Sequence, residues 1–167
     1  MMRVPSLSSL SFNESPHSLR KSPEPGSRFI SVGIDDAPAS IGSFERYFHD
    51  MLKASGISYD VFLTATFAEG KKLIEELPRI HFAVIDYNLD NGMLGTVLCI
   101  QLLLKNPKAR VFLFTAAKPQ EIQEIPDGVT VIWDKSHRGV KAALSECIGD
   151  FKRETAARKN SSEGDKG

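Results

Sequence analysis

Five polar side chains stand where short apolar runs end. Asp35 and Asp36 follow RFISVGI, Asp86 closes HFAVID, Thr115 closes RVFLFT and Lys135 closes VTVIWDK. Three carboxylates gathered at one place repel one another, and taking them out of water is costly without compensation. A divalent cation with hard oxygen preference resolves that conflict, and Mg²⁺ favours a few carboxylates, waters and a phosphate oxygen. Lys135 adds a second positive charge, able to pair with Asp86 at rest and with a phosphoryl oxygen afterwards. Thr115 offers a hydroxyl hydrogen bond to the same oxygens. Asp86 then remains as an oxygen nucleophile facing a cation. In-line phosphoryl transfer depends mainly on positioning and on neutralising the equatorial oxygens, which this set supplies. Attack by Asp86 yields an acyl phosphate.

These residues meet only if the elements carrying them share one rim. The apolar runs at 28–34, 59–65, 81–86, 110–115 and 129–135 read as strands, the third and fourth buried on both faces. Helical spacing appears between them. Ile41, Phe44, Phe48, Met51 and Leu52 fall on one face of a helix that Ser40 is expected to cap and Gly56 to end. Phe67, Gly70, Ile74 and Leu77 form a second stripe that stops at Pro78. TVLCIQLLLKN is a third helix, and a short fourth is expected over about 118–125, before Pro126 and Asp127-Gly128. Val140, Leu144, Cys147, Ile148 and Phe151 mark the last. Five strands alternating with five helices imply an α/β fold, a doubly wound parallel sheet with helices on both faces. Ligands of such sheets bind beyond the carboxyl ends of the strands, where the five polar groups stand.

Lys plus Arg equal Asp plus Glu at 21 each, so the formal net charge is zero. That argues against direct nucleic-acid binding, which needs a basic surplus. Cys99 and Cys147 sit inside apolar helical patterns and read as buried thiols, not a disulfide framework. His17, His49, His81 and His137 lack metal-ligand spacing. No apolar run approaches the ~20 residues that span a bilayer, and the N-terminus lacks a secretory layout; a cytoplasmic setting is the expectation. The Ser/Pro-rich residues 1–27 and the polar residues 155–167 are expected to be disordered tails around an ordered domain at 28–154. Gly92 and Gly95 read as turn glycines; without Gly-Lys-Ser/Thr their spacing is not a phosphate loop.

Over residues 28–154 the chain resembles the response-regulator receiver domains of two-component phosphorelays. The marks are the acid pair in VGIDDAP, the acceptor in AVIDYNL, the Thr-Ala step in LFTAA and the lysine in VIWDKS. The resemblance implies the flavodoxin-like sheet order 2-1-3-4-5. It also implies that Asp36 binds Mg²⁺ directly, Asp35 mostly through water, Asp86 as phosphoacceptor and ligand, and Asn88 through its backbone carbonyl. Thr115 and Lys135 would hold the phosphoryl oxygens. A histidine kinase or histidine-phosphotransfer protein would be the donor. With no output domain expected after residue 154, a downstream protein would read the switched state; the oligomeric state is open.

Three positions depart from the family pattern. Ser136 follows the lysine where proline is usual, often after a cis peptide. Ile132 stands three residues before the lysine where an aromatic residue is common, with Trp133 beside it, and the segment after Thr115 is short. All three lie on the side where the family commonly docks partners. Two other classes compete with the phospho-acceptor switch: a receiver-like interaction module without phosphorylation, and a small haloacid-dehalogenase-like phosphohydrolase. The second would place another Asp two residues after the nucleophile, where this chain has Asn88.

Overall fold

The structure, a computed structural model, describes residues 28–163 apart from residue 123. Its elements are β1 (Phe29–Ile34), α1 (Pro38–Ser55), β2 (Tyr59–Thr64), α2 (Phe67–Glu76), β3 (Phe82–Asp86), α3 (Gly95–Lys105), β4 (Arg110–Phe114), β5 (Val129–Ile132) and α4 (His137–Glu163). The strands form one sheet in the order β2-β1-β3-β4-β5, parallel throughout. The doubly wound parallel α/β sheet is the one the alternating pattern predicts, and its flavodoxin-like order is the one the resemblance implies.

Alternate residues of the central strands feed two cores. Phe82, Val84, Phe112 and Phe114 join Phe44, Phe48 and Leu52 of α1 and Val140, Leu144, Cys147, Ile148 and Phe151 of α4. Ala83, Ile85, Val111 and Leu113 face the other way, against Ile74 of α2 and Leu98, Cys99 and Leu102 of α3. A strand covered on both faces gains from apolar residues at every position, which is why β3 is buried throughout. Cys99 and Cys147 are free and buried, and burial pushes both thiols up to about 12.

Four expectations need correction. Among the described residues no α-helix forms between β4 and β5, only a single 3₁₀ turn at Pro119–Glu121. The expected helix over 118–125 has too few residues to offset helix nucleation before Pro126 and the left-handed Gly128 (φ 82°) stop it. Ile122 nonetheless turns inward and is buried in the second core. Secondly, α1 begins at Pro38 with Ala37 as its N-cap residue, so Ser40 lies inside the first turn and caps nothing. Proline suits that first position because its missing N–H has no helical partner to lose.

Thirdly, β5 ends at Ile132, and Trp133–Lys135 curl into a 3₁₀ turn with Asp134 and Lys135 at positive φ (56° and 45°). Lastly, α4 runs to Glu163, nine residues beyond the expected boundary at residue 154. Residues 156–161 are solvent-exposed and held locally: Thr155 Oγ1 donates to the Phe151 carbonyl and Ser161 Oγ to that of Ala157. An Arg158–Glu154 ion pair and the good helix formers Ala156 and Ala157 add to this. The expected tail at 1–27, and residues 164–167 of the other, lie outside the described residues.

Candidate functional site

The carboxyl edge of the sheet collects the five predicted side chains. Asp35 follows β1, Asp86 ends β3, Thr115 follows β4 and Lys135 follows β5. One carboxylate oxygen from each of Asp35, Asp36 and Asp86 lies within 4.8 Å of the others. Asp35 and Asp86 are buried, whereas Asp36 is exposed at the mouth. Lys135 Nζ donates to Asp35 Oδ2 at 3.1 Å and to Asp86 Oδ2 at 3.0 Å. The second Asp35 oxygen accepts the Ala37 N–H at 2.9 Å, just ahead of α1.

The curl at Trp133–Lys135 brings the amine inward. The Lys135 N–H donates to the Thr115 carbonyl, and the Thr115 N–H to that of Ile132, so the threonine and lysine segments are locked together. Non-glycine residues at positive φ cost conformational energy and persist where surrounding bonds over-determine them. Ser136, at the position where the receiver pattern has proline, caps α4: its Oγ accepts the Gly139 N–H at 3.1 Å. The backbone there is trans, as throughout the described chain. Thr115 is buried, and its Oγ1 accepts the Ala117 N–H at 2.9 Å. Ile132 points into the α1/α4 core, while Trp133 is partly buried against the opposite core, as is Ala117.

Burial raises the Asp86 carboxyl to about 6, and the charge of Asp35 pushes the same way. Hydrogen bonding and charge from Lys135, with the Asn88 N–H, oppose the rise without cancelling it. Burial pushes Lys135 down, but its bonds to Asp86 and Asp35 outweigh that, leaving it above the ordinary lysine value. The pocket is therefore short of positive charge for its acids. The three clustered carboxylates form a hard-oxygen donor set that fits Mg²⁺.

Two residues that hold the site were either misassigned or passed over in the sequence. Gly95 was expected to serve a turn, yet it opens α3 in close approach to β3: a Cβ there would stand 1.9 Å from the Asp86 carbonyl oxygen. Its N–H donates to the Tyr87 carbonyl at 2.8 Å. Gly92 is the true turn glycine, at φ 71°. Asp90 accepts the Phe67 N–H at 2.6 Å, fastening the loop after Asp86 to the start of α2. The signal for Asp90 was an acid four residues past Asp86, with no apolar helical stripe directly after it.

The sheet order decides the architecture: a five-stranded parallel 2-1-3-4-5 sheet with three acids at its carboxyl edge. The chain has the receiver fold. It resembles a response regulator receiver protein from Sinorhizobium medicae with a TM-score of 0.61 at 13% identity, covering 74% of this chain and 97% of that one. A receiver domain protein from Clostridium thermocellum gives 0.58 at 16%, with the same two coverages. The anti-anti-sigma factor PhyR from Bartonella quintana gives 0.55 at 18%, covering 78% of this chain and 51% of that one. The chain matches no protein-family profile and no curated protein. Among the described residues, no helix of this receiver fold is long and apolar enough to cross a membrane.

Proposed function

We propose that this chain is a phospho-acceptor receiver in which a phosphohistidine partner transfers its phosphoryl group to Asp86. The carrying observation is the amine of Lys135 bonded at once to Asp35 and Asp86, with Asp36 beside them. Asp35, Asp36, Asp86 and the Asn88 backbone carbonyl would hold Mg²⁺, whose charge neutralises phosphoryl oxygens during transfer. The Asp86 oxygen attacks phosphorus as the P–N bond to the donor histidine breaks. The histidine nitrogen keeps that electron pair and takes a proton. Lys135 exchanges its bond to Asp86 for one to a phosphoryl oxygen while retaining Asp35. Thr115 turns its hydroxyl from the Ala117 N–H toward the phosphoryl group, drawing the β4–β5 loop with it.

The donor in this reading is a histidine kinase or histidine-phosphotransfer protein, and the product is a changed surface for another protein to read, in a cytoplasmic setting. The chain then acts as a signalling switch, not a turnover enzyme; its only chemistry is its own phosphorylation and dephosphorylation. Incubation with a phosphohistidine donor, or with acetyl phosphate, and Mg²⁺ should add one phosphoryl group, seen by intact mass and lost in hydroxylamine. Asp86→Ala should abolish the addition. Full labelling of that variant at another acid would overturn the assignment, and labelling by neither donor class would favour an unphosphorylated interaction module.

A further inference from the structure

The amino edge of the sheet, at the opposite end of β3 from Asp86, holds a cleft of about 310 Å³. Phe29, His81, Cys147 and Phe151 line it, and all four are buried. Its charged lining is Arg79, Lys108, Arg110 and Arg153 against two acids, Asp150 and Glu154. The acids are already engaged: Asp150 pairs with Arg110 and Arg153, and Glu154 with Arg158. Arg79 and Lys108, by contrast, make no ion pair or hydrogen bond among the described residues. Arg79 is half-buried and Lys108 exposed. Two cations thus stand without a counter-charge in one cleft of small-molecule size.

His81 gives an independent sign of what the cleft lacks. Its Nδ1 accepts the Ile30 N–H at 2.9 Å, so the neutral ring carries its proton on Nε2. That Nε2 is buried and has no partner among the described residues. The other such atom is Nδ2 of Asn106, whose Oδ1 accepts the N–H of Ile80 at 3.1 Å, next to His81 in the chain. Both are donors at the same edge of the sheet, and a buried donor without an acceptor is costly. Donors in want of an acceptor, beside cations in want of a counter-charge, match a negatively charged oxygen. We infer that this cleft binds a small anion with two or more negative charges on phosphate or carboxylate oxygens, held by Arg79 and Lys108 with the His81 Nε2–H donating from the floor. Arginine offers such oxygens a planar fork and lysine a point charge. The inference does not depend on phosphorylation of Asp86.

The test titrates the full chain with inorganic pyrophosphate and, separately, with citrate, by isothermal titration calorimetry in metal-free buffer at low salt. Without a divalent cation the acids at the carboxyl edge repel both probes. At least one probe should bind at a single site with a dissociation constant below about 1 mM. Tighter pyrophosphate binding assigns the cleft to a phosphate ligand, and tighter citrate binding to a polycarboxylate. Lys108→Glu and, separately, Arg79→Gln should each weaken binding by about tenfold or more. Lys118→Glu makes the same change of net charge elsewhere and should leave binding unchanged. Lys108 and Lys118 are both exposed, so both variants should keep the parent's stability. In ¹⁵N spectra the ring signal of His81 should move on saturation, while that of His137 stays in place. Failure of both probes to bind, equal losses in Lys108→Glu and Lys118→Glu, or an unmoved His81 signal would overturn the inference.

Discussion

At the scale of single residues, the site is a balance between three acids and one amine. Lys135 neutralises Asp35 and Asp86 at rest, so it stands in for part of the charge that a divalent cation would bring. Lys135→Met keeps the stem and removes the charge, leaving two buried carboxylates facing one another. Apo stability should fall by about 2 kcal/mol. Mg²⁺ should then stabilise the variant more than it stabilises the parent, because the cation relieves a larger repulsion. Urea denaturation with and without Mg²⁺ measures both effects. A variant whose Mg²⁺ response is smaller than the parent's would show that Lys135 helps to build the cation site instead of competing with it.

Among the elements, β3 and α3 meet so closely that only glycine fits between them. Gly95→Ala would normally favour a helix slightly, since alanine is the better helix former. Here its methyl would collide with the Asp86 carbonyl oxygen, which belongs to a buried strand and cannot move aside. The expected result is a loss of about 3 kcal/mol, read from the urea midpoint, with slower phosphoryl acceptance as Asp86 is displaced. A neutral or stabilising effect would show that α3 can slide outward.

Strand ends, and the residues that stand at them, were legible because each central strand is a continuous apolar run broken by one polar group. The sheet order came from the resemblance, which acts over whole elements. What stayed hidden is local. Nothing in VTVIWDK signals that Asp134 and Lys135 adopt positive φ, because the bonds that impose it come from Thr115 on a neighbouring strand. The close approach at Gly95 is equally a matter of tertiary distance. The last helix outran its apolar stripe since helix propensity and local pairs, not burial, sustain residues 155–163.

Across the whole molecule, β3 links two opposed proton equilibria. Asp86 at its end is raised to about 6, chiefly by burial, so its proton favours the fold. That stabilisation is complete below the ordinary carboxyl value of 3.8 and is lost as pH rises through 6. His81, immediately before the strand, is lowered to about 4 by burial and then by the charges of Arg79 and Arg158. Its ring packs against Phe29 and Phe151, and its Nδ1 accepts the Ile30 N–H. Protonating it therefore opposes the fold, and stability falls as pH drops from 6.5 toward 4. Each contribution is on the order of 3 kcal/mol, and the two oppose over nearly the same range. The parent should be almost insensitive to pH between about 4 and 6. Asp86→Asn should lose stability on acidification across that interval, and His81→Gln should gain it. Urea titrations at several pH values check the pair; parallel pH profiles in the two variants would refute the linkage.

The hydrogen bond from Lys135 to Asp35 joins residues separated by 100 positions. A chain still emerging from the ribosome has its acids early and its amine late, and the strand that leads to the amine depends on α4 behind it. In the proposed function, competence to accept a phosphoryl group would therefore arrive only once the segment carrying Lys135 has joined the sheet. Nascent or proteolytically shortened copies that lack the last crossover would be mute, and could not draw signal away from intact ones.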